Sequence, residues 1–390
     1  MKILYHHRTR AEDGQAVHIR SLIEAFRAEG CDVREVALVA KASPDPEPTA
    51  PGAGGARNGR SWGWMSRVPR FARELAEHAY TFPTVRRLVR EGRAFAPDFL
   101  YERYAFANRA GVIGAGRLGR PLVLEVNSPM VLELGRTRGL SFPRLADRVE
   151  RDTFRRADRV CVVTHVLADM LEEMGVERER LLVTPNGVHP EHYAAPDRAA
   201  ARRDLGLADV EGPVLGFVGF VRDWHRLDLV VEGLTDPGLT DARLVLVGSG
   251  PAEDDLRERA ERCGVSDRVH LAGPRRHAAV PPLLAGFDVA LVPAINPYAS
   301  PLKLFEYMAA SLPVVAPDQP NLREIVSDGD NARLVPPGDG PALVEALVEL
   351  VRDPDLRARL GAAAARTIEE RDLTWRGNAR RVLAAVGELV

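Results

Sequence analysis

The stretch SPLKLFEYMAAS, residues 300–311, combines a lysine with a predicted helix start inside a short apolar run. Ser300 is a good helix N-cap and Pro301 suits the first helical position, so a helix should begin here. The unpaired N–H groups of Leu302 and Lys303 would then point out from the positive end of the helix dipole. The Lys303 cation costs helix stability at that end unless an anion lies in front of it. The pattern therefore indicates a phosphate site.

Glu306 lies one helical turn after Lys303, on the same face of the predicted helix. A surface ion pair between the two side chains is the plain interpretation of this spacing. Apolar residues surround the glutamate, however, and a carboxylate on a mostly buried helix face normally has a partner. The hydroxyls of a sugar would satisfy its lone pairs. The sequence thus leaves two interpretations, a surface ion pair or a site for a sugar linked to phosphate.

The composition is typical of a globular protein with room for two domains. The chain has 390 residues, 45% of them hydrophobic and 28% charged. A net charge of −2 argues against a nucleic-acid partner. Three widely spaced cysteines without a CxxC pair indicate neither a disulfide framework nor a zinc site, and they favour a reducing cytosol. The N-terminal apolar run is too short for a signal peptide, and no stretch approaches the ~20 apolar residues of a membrane helix. We expect a cytoplasmic protein without a metal.

Twelve short apolar runs alternate with helical patterns, which is typical of βαβ units and parallel sheets. The predicted strands are 2–6, 32–39, 98–102, 121–126, 159–164 and 181–185 in the first half, and 213–219, 243–248, 268–273, 289–294, 313–317 and 332–337 in the second. Two such series predict an α/β protein with two facing Rossmann-like domains. Turn-forming residues after the last strand of the first series place the boundary, giving domains 1–193 and 194–373.

One dinucleotide-binding fingerprint is a false lead. Gly114, Gly116 and Gly119 match G-x-G-x-x-G, but only two apolar residues precede them and Pro121 follows at once. We predict a helix that ends at Gly119, followed by a strand. The Asp-Gly-Asp sequence at 328–330 is predicted to be a turn and not a metal site.

Residues 57–93 carry nine arginines and three glutamates, a balance of +6 in an otherwise acidic chain. They overlap a segment rich in Pro, Gly and Ala at 42–60, which is predicted to be a surface loop. Within this basic arm, 57–93, residues 65–93 are predicted to be helical with a break at Pro83. A solvated helical face is its plain interpretation. The alternative is docking on an anionic surface, either an acidic acceptor or the inner face of a membrane.

Residues 300–339 resemble the nucleotide-sugar motif of the family 4 retaining glycosyltransferases, which have the GT-B fold. The segments 183–193, 245–251 and 269–294 also resemble this family, and 374–386 resembles its last helix. In that fold the last helix crosses back to the first domain, so we expect about 374–390 to join 1–193. The resemblance implies transfer of a sugar from a nucleoside-diphosphate sugar to an acceptor hydroxyl, with the anomeric configuration retained and without a metal or other cofactor.

The resemblance also assigns roles to single residues. Glu306 matches the second glutamate of the family's E-x7-E motif, which holds the donor ribose. Lys303 would contact the donor diphosphate, with Asn127 also near the chemistry. The remaining residues implied to bind the donor are Gly14, Gln15, His18, Gly219, Arg222, His225, Arg226, Arg275, Tyr298, Ser300 and Leu302.

Three positions depart from the family pattern. Tyr298 stands where the first glutamate of E-x7-E is expected, and Ser311 replaces a glycine. Asn127 stands where the family often has a histidine, and an amide cannot shuttle a proton at neutral pH. The first and last of these leave the donor sugar and the catalytic details open.

Two other classes of protein remain possible. An epimerase of the same fold would need acid and base residues around the sugar, a set that the sequence does not supply. A non-catalytic nucleotide-sugar binder is suggested by Tyr298 and Asn127. For a transferase the partners are the donor and an acceptor from glycan, glycolipid or glycosylated-metabolite biosynthesis, with a lipid-linked acceptor as one option.

Overall fold

The chain forms two α/β units, each built on one parallel sheet of six strands. The computed structural model describes residues 1–9, 14–37 and 68–389. One unit comprises Met1–Pro185 with Trp375–Val390, and the other comprises Asn186–Thr374. All twelve strands expected from the sequence are present, with ends that differ by at most three residues.

The first unit has the strand order β2-β1-β3-β4-β5-β6. Its strands are β1 (Lys2–His7), β2 (Asp32–Ala37), β3 (Phe99–Arg103), β4 (Leu122–Val126), β5 (Arg159–Val162) and β6 (Leu181–Val183). Its helices are α1 (Gly14–Ala28), α2 (Arg70–Ala79), α3 (Thr81–Phe95), α4 (Ala110–Leu118), α5 (Met130–Thr137), α6 (Pro143–Arg155), α7 (His165–Glu173) and, last in the chain, α16 (Trp375–Gly387). Helices cover both faces of such a sheet, so a central strand such as β4 is buried throughout.

The second unit has the strand order β12-β11-β10-β7-β8-β9. Its strands are β7 (Val214–Val218), β8 (Arg243–Val247), β9 (Val269–Gly273), β10 (Val289–Leu291), β11 (Val314–Pro317) and β12 (Arg333–Val335). Its helices are α8 (Arg198–Asp204), α9 (Leu227–Gly233), α10 (Glu253–Cys263), α11 (Val280–Leu284), α12 (Leu302–Ala309), α13 (Pro320–Arg323), α14 (Gly340–Arg352) and α15 (Pro354–Glu370). Alternate residues of β7 enter two separate apolar clusters, since side chains of a strand point to opposite faces of the sheet.

The last helix belongs to the first unit, as the resemblance implies. It packs on α1, where the edge of the Trp375 ring meets His18 with 4.7 Å between centroids. Arg376 and Arg380 of α16 both form ion pairs with Glu29, the residue that follows α1, at 2.9 and 3.1 Å. The first and last stretches of the chain therefore share one core.

Two local expectations are corrected by the structure. The helix that carries Lys303 begins at Leu302 with Pro301 as its N-cap residue. Ser300 is not the cap, because its Oγ accepts a hydrogen bond from the Asn186 amide at 3.1 Å. The basic arm breaks at Tyr80, between α2 and α3, and not at Pro83. That proline lies in the first turn of α3, where an amide N–H would have no helical partner.

The compact division also assigns residues 186–193 to the second unit, although the sequence suggested a boundary after 193. Asn186 bonds to Ser300, and Val188 forms an isolated bridge with Thr374. In each contact the two residues lie far apart in sequence. They hold the segment against the second unit.

The two false leads are resolved as expected. Residues 110–118 form α4, which ends at Gly119 with φ 62°, and β4 follows. Asp328 forms part of a tight turn, where its Oδ1 accepts a hydrogen bond from Leu334 N at 2.8 Å. The predicted loop 42–60 and the first part of the basic arm, 57–67, lie outside the described residues. In the part of the chain that is described, no helix is both long and apolar enough to cross a membrane.

Candidate active site

Two loops of the second unit hold most of the residues expected to bind a donor. One follows β7 and contains Gly219, and the other follows β10 and leads into α12. β7 and β10 are parallel neighbours at the point where the strand order reverses, which is where open α/β sheets bind ligands. The Tyr307 hydroxyl accepts a hydrogen bond from Val218 N at 2.8 Å. This bond fixes α12 to the end of β7.

The Lys303 ammonium lies between an aromatic ring and a glycine. Its Nζ is 3.6 Å from the centroid of the Phe217 ring, and a Cβ added to Gly219 would lie 3.0 Å from it. Among the described side chains no carboxylate lies within 4.0 Å of this cation. Glu306, the acid nearest in sequence, pairs with His277 instead. Burial lowers the pKa of Lys303 to about 7, partly opposed by the charge of Glu306. A partly desolvated cation without an acid partner gains much from an anion.

Close backbone contacts shape the loop after β7. Gly219 has φ 141°, a conformation that side chains rarely adopt. A Cβ on Gly248 would lie 1.9 Å from the Gly219 carbonyl oxygen, and one on Gly250 would lie 2.0 Å from that of Val221. The two glycines of the loop after β8 therefore let it pack directly on the loop after β7.

The three basic residues predicted in the loop after β7 have different surroundings. Arg222 is exposed and forms no ion pair with a described residue. Burial, helped by the charges of Lys303 and Arg222, lowers the pKa of His225 to about 3, so this ring is neutral at pH 7. Arg226 forms an ion pair with Asp228 at 3.1 Å. Arg222 is the one of the three whose guanidinium is open to a phosphate.

Glu306 is buried, with 7% of its surface exposed. Its Oε1 lies 2.6 Å from His277 Nε2, so its partner is this histidine and not Lys303. The surface-pair interpretation is therefore wrong. The second carboxylate oxygen accepts no hydrogen bond from the residues described here. Tyr193 lies close by, since the charge of Glu306 adds to the burial that raises the pKa of this phenol.

Two asparagines that the sequence analysis did not single out hold the loop between β10 and α12. Asn321 Nδ2 donates to the carbonyl oxygens of Asn296 and Ala299, at 3.2 and 2.7 Å. Asn186 donates to the Ser300 side chain from its backbone and to the Ser300 carbonyl from its side chain. No periodic pattern marks such residues, because their partners are 22 to 114 positions away.

The other donor-site residues predicted in this unit lie around the same loops. Tyr298 is 3% exposed and thus buried. Leu302 is half-buried at the start of α12. Arg275 is exposed after β9, and its guanidinium donates a hydrogen bond to the neighbouring carbonyl of Pro274, at 3.2 Å.

In the first unit, His18 and Asn127 meet at one buried carboxylate. Glu125 of β4 accepts hydrogen bonds from both, from Arg103 and, at 2.9 Å, from the Tyr101 hydroxyl. Burial alone would raise the pKa of Glu125, but His18 and Arg103 hold it well below its usual range. The sequence analysis missed this residue. The signal was present as a glutamate inside the apolar strand LVLEV.

Gly14 and Gln15 form the exposed first turn of α1. The residues just before them, 10–13, are not described, so the predicted Gly-rich loop is seen only from Gly14 onward. Within residues 1–9, 14–37 and 68–389 no group of three or more His, Cys, Asp or Glu side chains is placed to hold a metal ion.

Two family models match the chain over different parts. Residues 13–187 match a glycosyl transferase 4-like domain, and residues 212–353 match the glycosyl transferases group 1. Together with the two parallel six-stranded sheets, these matches define a glycosyltransferase with the GT-B fold. The chain belongs to the family 4 type of these enzymes.

Curated relatives and solved structures agree with this class. The D-inositol 3-phosphate glycosyltransferase of Stackebrandtia nassauensis is 29% identical over 307 residues, which cover 75% of this chain and 68% of the relative. The alpha-D-kanosaminyltransferase of Streptomyces kanamyceticus is 28% identical over 262 residues, covering 64% and 66%. The fold matches Anabaena Alr3699/HepE, solved in complex with UDP, with a TM-score of 0.73 over the full length of both chains at 18% identity.

Proposed function

We propose that this glycosyltransferase moves a sugar from a UDP-sugar to an acceptor hydroxyl, with retention of the anomeric configuration and without a metal ion. The observation that carries the proposal is the Lys303 ammonium, which stands at the start of α12 against Gly219 and has no carboxylate partner among the described residues. Solved structures of Alr3699/HepE with UDP and with UDP-glucose support uridine as the nucleotide.

The main chemical task is to stabilise the departing diphosphate. Lys303 and the amide groups at the start of α12 supply positive charge at one place, and Arg222 is exposed on the neighbouring loop. Preorganised donors of this kind stabilise charge that develops in a transition state. Because the chain itself supplies these cations, the proposed reaction needs no metal.

The proposed path of the proton takes into account that Asn127 cannot accept it. Asn127 donates to Glu125 and cannot act as a base. We therefore route the proton of the acceptor hydroxyl to the leaving diphosphate oxygen. The bond from the sugar to the diphosphate breaks while the bond to the acceptor oxygen forms on the same face, and Glu306 holds the donor ribose.

We propose a small cyclic polyol as the acceptor. Relatives carry the names D-inositol 3-phosphate glycosyltransferase and 2-deoxystreptamine glucosyltransferase, and both names describe substituted six-membered rings. The three cysteines are free thiols, which supports a reducing, cytoplasmic location.

A further part of the proposal is peripheral contact with an anionic membrane surface through the basic arm. In its described part, Phe82 is 71% exposed and shares one face of α3 with Arg86 and Arg90. Arg86, Arg90 and Arg93 line one shallow cavity with Arg117 of α4. An aromatic side chain beside arginines suits a lipid headgroup region.

The test is a donor screen with product analysis. The purified chain is incubated with UDP-, GDP- and dTDP-sugars and with cyclic polyol acceptors, with and without EDTA, and products are analysed by mass spectrometry and NMR. The proposal expects transfer from a UDP-sugar, insensitivity to EDTA and an anomeric configuration equal to that of the donor. An inverted product, loss of activity in EDTA, or a donor that is only epimerised or only bound would contradict it.

A further inference from the structure

We propose that His277 is a positioning residue for the donor ribose, acting through Glu306. The inference rests on the proposed function of the same site. His277 belongs to a short turn at 277–279, between β9 and α11, and is not part of the motif that suggested a nucleotide-sugar site.

The contact joins two elements of the second unit. His277 Nε2 lies 2.6 Å from Glu306 Oε1, with the histidine side chain 41% and the glutamate side chain 9% exposed. Because a carboxylate accepts hydrogen bonds, the histidine must carry its proton on Nε2. A bond of this length to an ionised group is at the strong end for proteins. The half-exposed ring thus forms one wall beside a carboxylate that is otherwise buried.

The chemistry of a diol explains what this bond does. To accept from two neighbouring hydroxyls, a carboxylate must present its free lone pairs in one fixed plane. A glutamate side chain loses rotamer freedom when it is fixed, which costs binding free energy if the donor has to fix it. His277 fixes it before the donor arrives and uses only one of about four lone-pair positions. The second oxygen remains open to the ribose.

A merely structural role would look different. If the bond only tied the 277–279 turn to α12, its loss would lower the melting temperature and would affect every ligand of the site alike. If His277 acts through Glu306, its loss affects only ligands that carry ribose hydroxyls. The comparison of UDP with 2′,3′-dideoxy-UDP separates these cases.

Isothermal titration of the full chain tests the inference. We expect H277A to weaken UDP binding about tenfold, which is the size of one charge-assisted hydrogen bond. The affinity for dideoxy-UDP should fall less than about twofold in the same variant. The effects of H277A and of removing the ribose hydroxyls are then not additive. H277Q places an amide donor where Nε2 lies and should restore most of the affinity. With a UDP-sugar, H277A should raise KM while kcat changes little.

H270A is the matched control, because His270 lies on β9 against Gly206 and away from the site. If H277A lowers the apo melting temperature, H277N, whose amide is too short to reach the carboxylate, replaces it in the comparison. Equal losses for UDP and dideoxy-UDP, or no loss for UDP, would overturn this inference while leaving the proposed function intact. A wild-type chain that binds no UDP and transfers no sugar would overturn both.

Discussion

The Lys303 ammonium lies over the face of the Phe217 ring, 3.6 Å from its centroid. A cation over an aromatic ring gains about 0.5–2 kcal/mol, more when both are shielded from water. Phe217 belongs to β7 and Lys303 to α12, so the charge is positioned by two residues that lie 86 positions apart in the chain. The ring fixes the ammonium in place without neutralising it. A diphosphate therefore meets a charge that is already in position.

The first prediction concerns the pH dependence of donor binding. Because burial lowers the pKa of Lys303 to about 7, the free protein loses this charge as the pH rises. Binding of an anion requires the protonated form and must take up a proton above that value. Affinity for a UDP-sugar should therefore fall between about pH 7 and 9, by up to about tenfold per pH unit. Titration calorimetry in buffers of different ionisation enthalpy measures both the affinity and the proton uptake.

K303R is the control for that prediction, because arginine stays charged throughout this range. It should flatten the pH profile even where it weakens binding. His225 does not contribute, since its pKa of about 3 keeps it neutral at these pH values. A wild-type profile as flat as that of K303R would contradict the assignment of Lys303.

The second prediction concerns Gly219. G219A should weaken UDP binding at least about tenfold, because φ 141° strains an alanine and the new Cβ would lie 3.0 Å from the Lys303 ammonium. G116A is the matched control, since Gly116 lies inside α4 with nothing within 4 Å of its Cβ position. That change should raise the free energy of unfolding by about 0.5–1 kcal/mol and leave binding unchanged. Calorimetry and thermal unfolding check both.

The third prediction concerns Ser311, where the family has a glycine. Its φ of 55° places it in the left-handed region, which costs a non-glycine residue about 1–2 kcal/mol. S311G should therefore stabilise the protein, by about 0.5–1 kcal/mol after the added freedom of the unfolded chain is subtracted. D372G should gain less, because Asp372 uses its side chain to accept a hydrogen bond from Thr374 at 2.8 Å. A melting temperature for S311G at or below that of the wild type would refute the strain argument.

The fourth prediction concerns membrane contact. Replacing Arg86, Arg90 and Arg93 with serine should reduce partitioning onto vesicles that contain anionic lipid by up to about a hundredfold, since each basic residue contributes about 1 kcal/mol near such a surface. The matched control replaces three exposed arginines of the second unit, Arg352, Arg359 and Arg366, and makes the same change in net charge. Cosedimentation measures the bound fraction. Equal partitioning of the two triple variants would reject a membrane role for this face.

Much of the fold could be predicted because it depends on periodic patterns. All twelve strands follow from runs of apolar residues between turn formers, and the last helix follows from the family resemblance. The errors lie where a side chain finds a partner far away in sequence. Ser300 does not cap α12, because its hydroxyl accepts a hydrogen bond from Asn186, which is 114 positions away. Glu306 pairs with His277, which is 29 positions away. Local spacing favoured Lys303 as that partner. Which of the two, Lys303 or His277, contacts the Glu306 carboxylate is determined by the folded conformation of the loops and not by local spacing.

The membership of α16 in the first unit has a consequence for biosynthesis. During translation the strands of that unit leave the ribosome first, but the helix that covers His18 and Glu29 leaves only after the whole second unit has been made. The first unit therefore lacks the helix that packs on α1 while about 190 further residues are synthesised. The core of the first unit is thus completed only after the second unit has been synthesised.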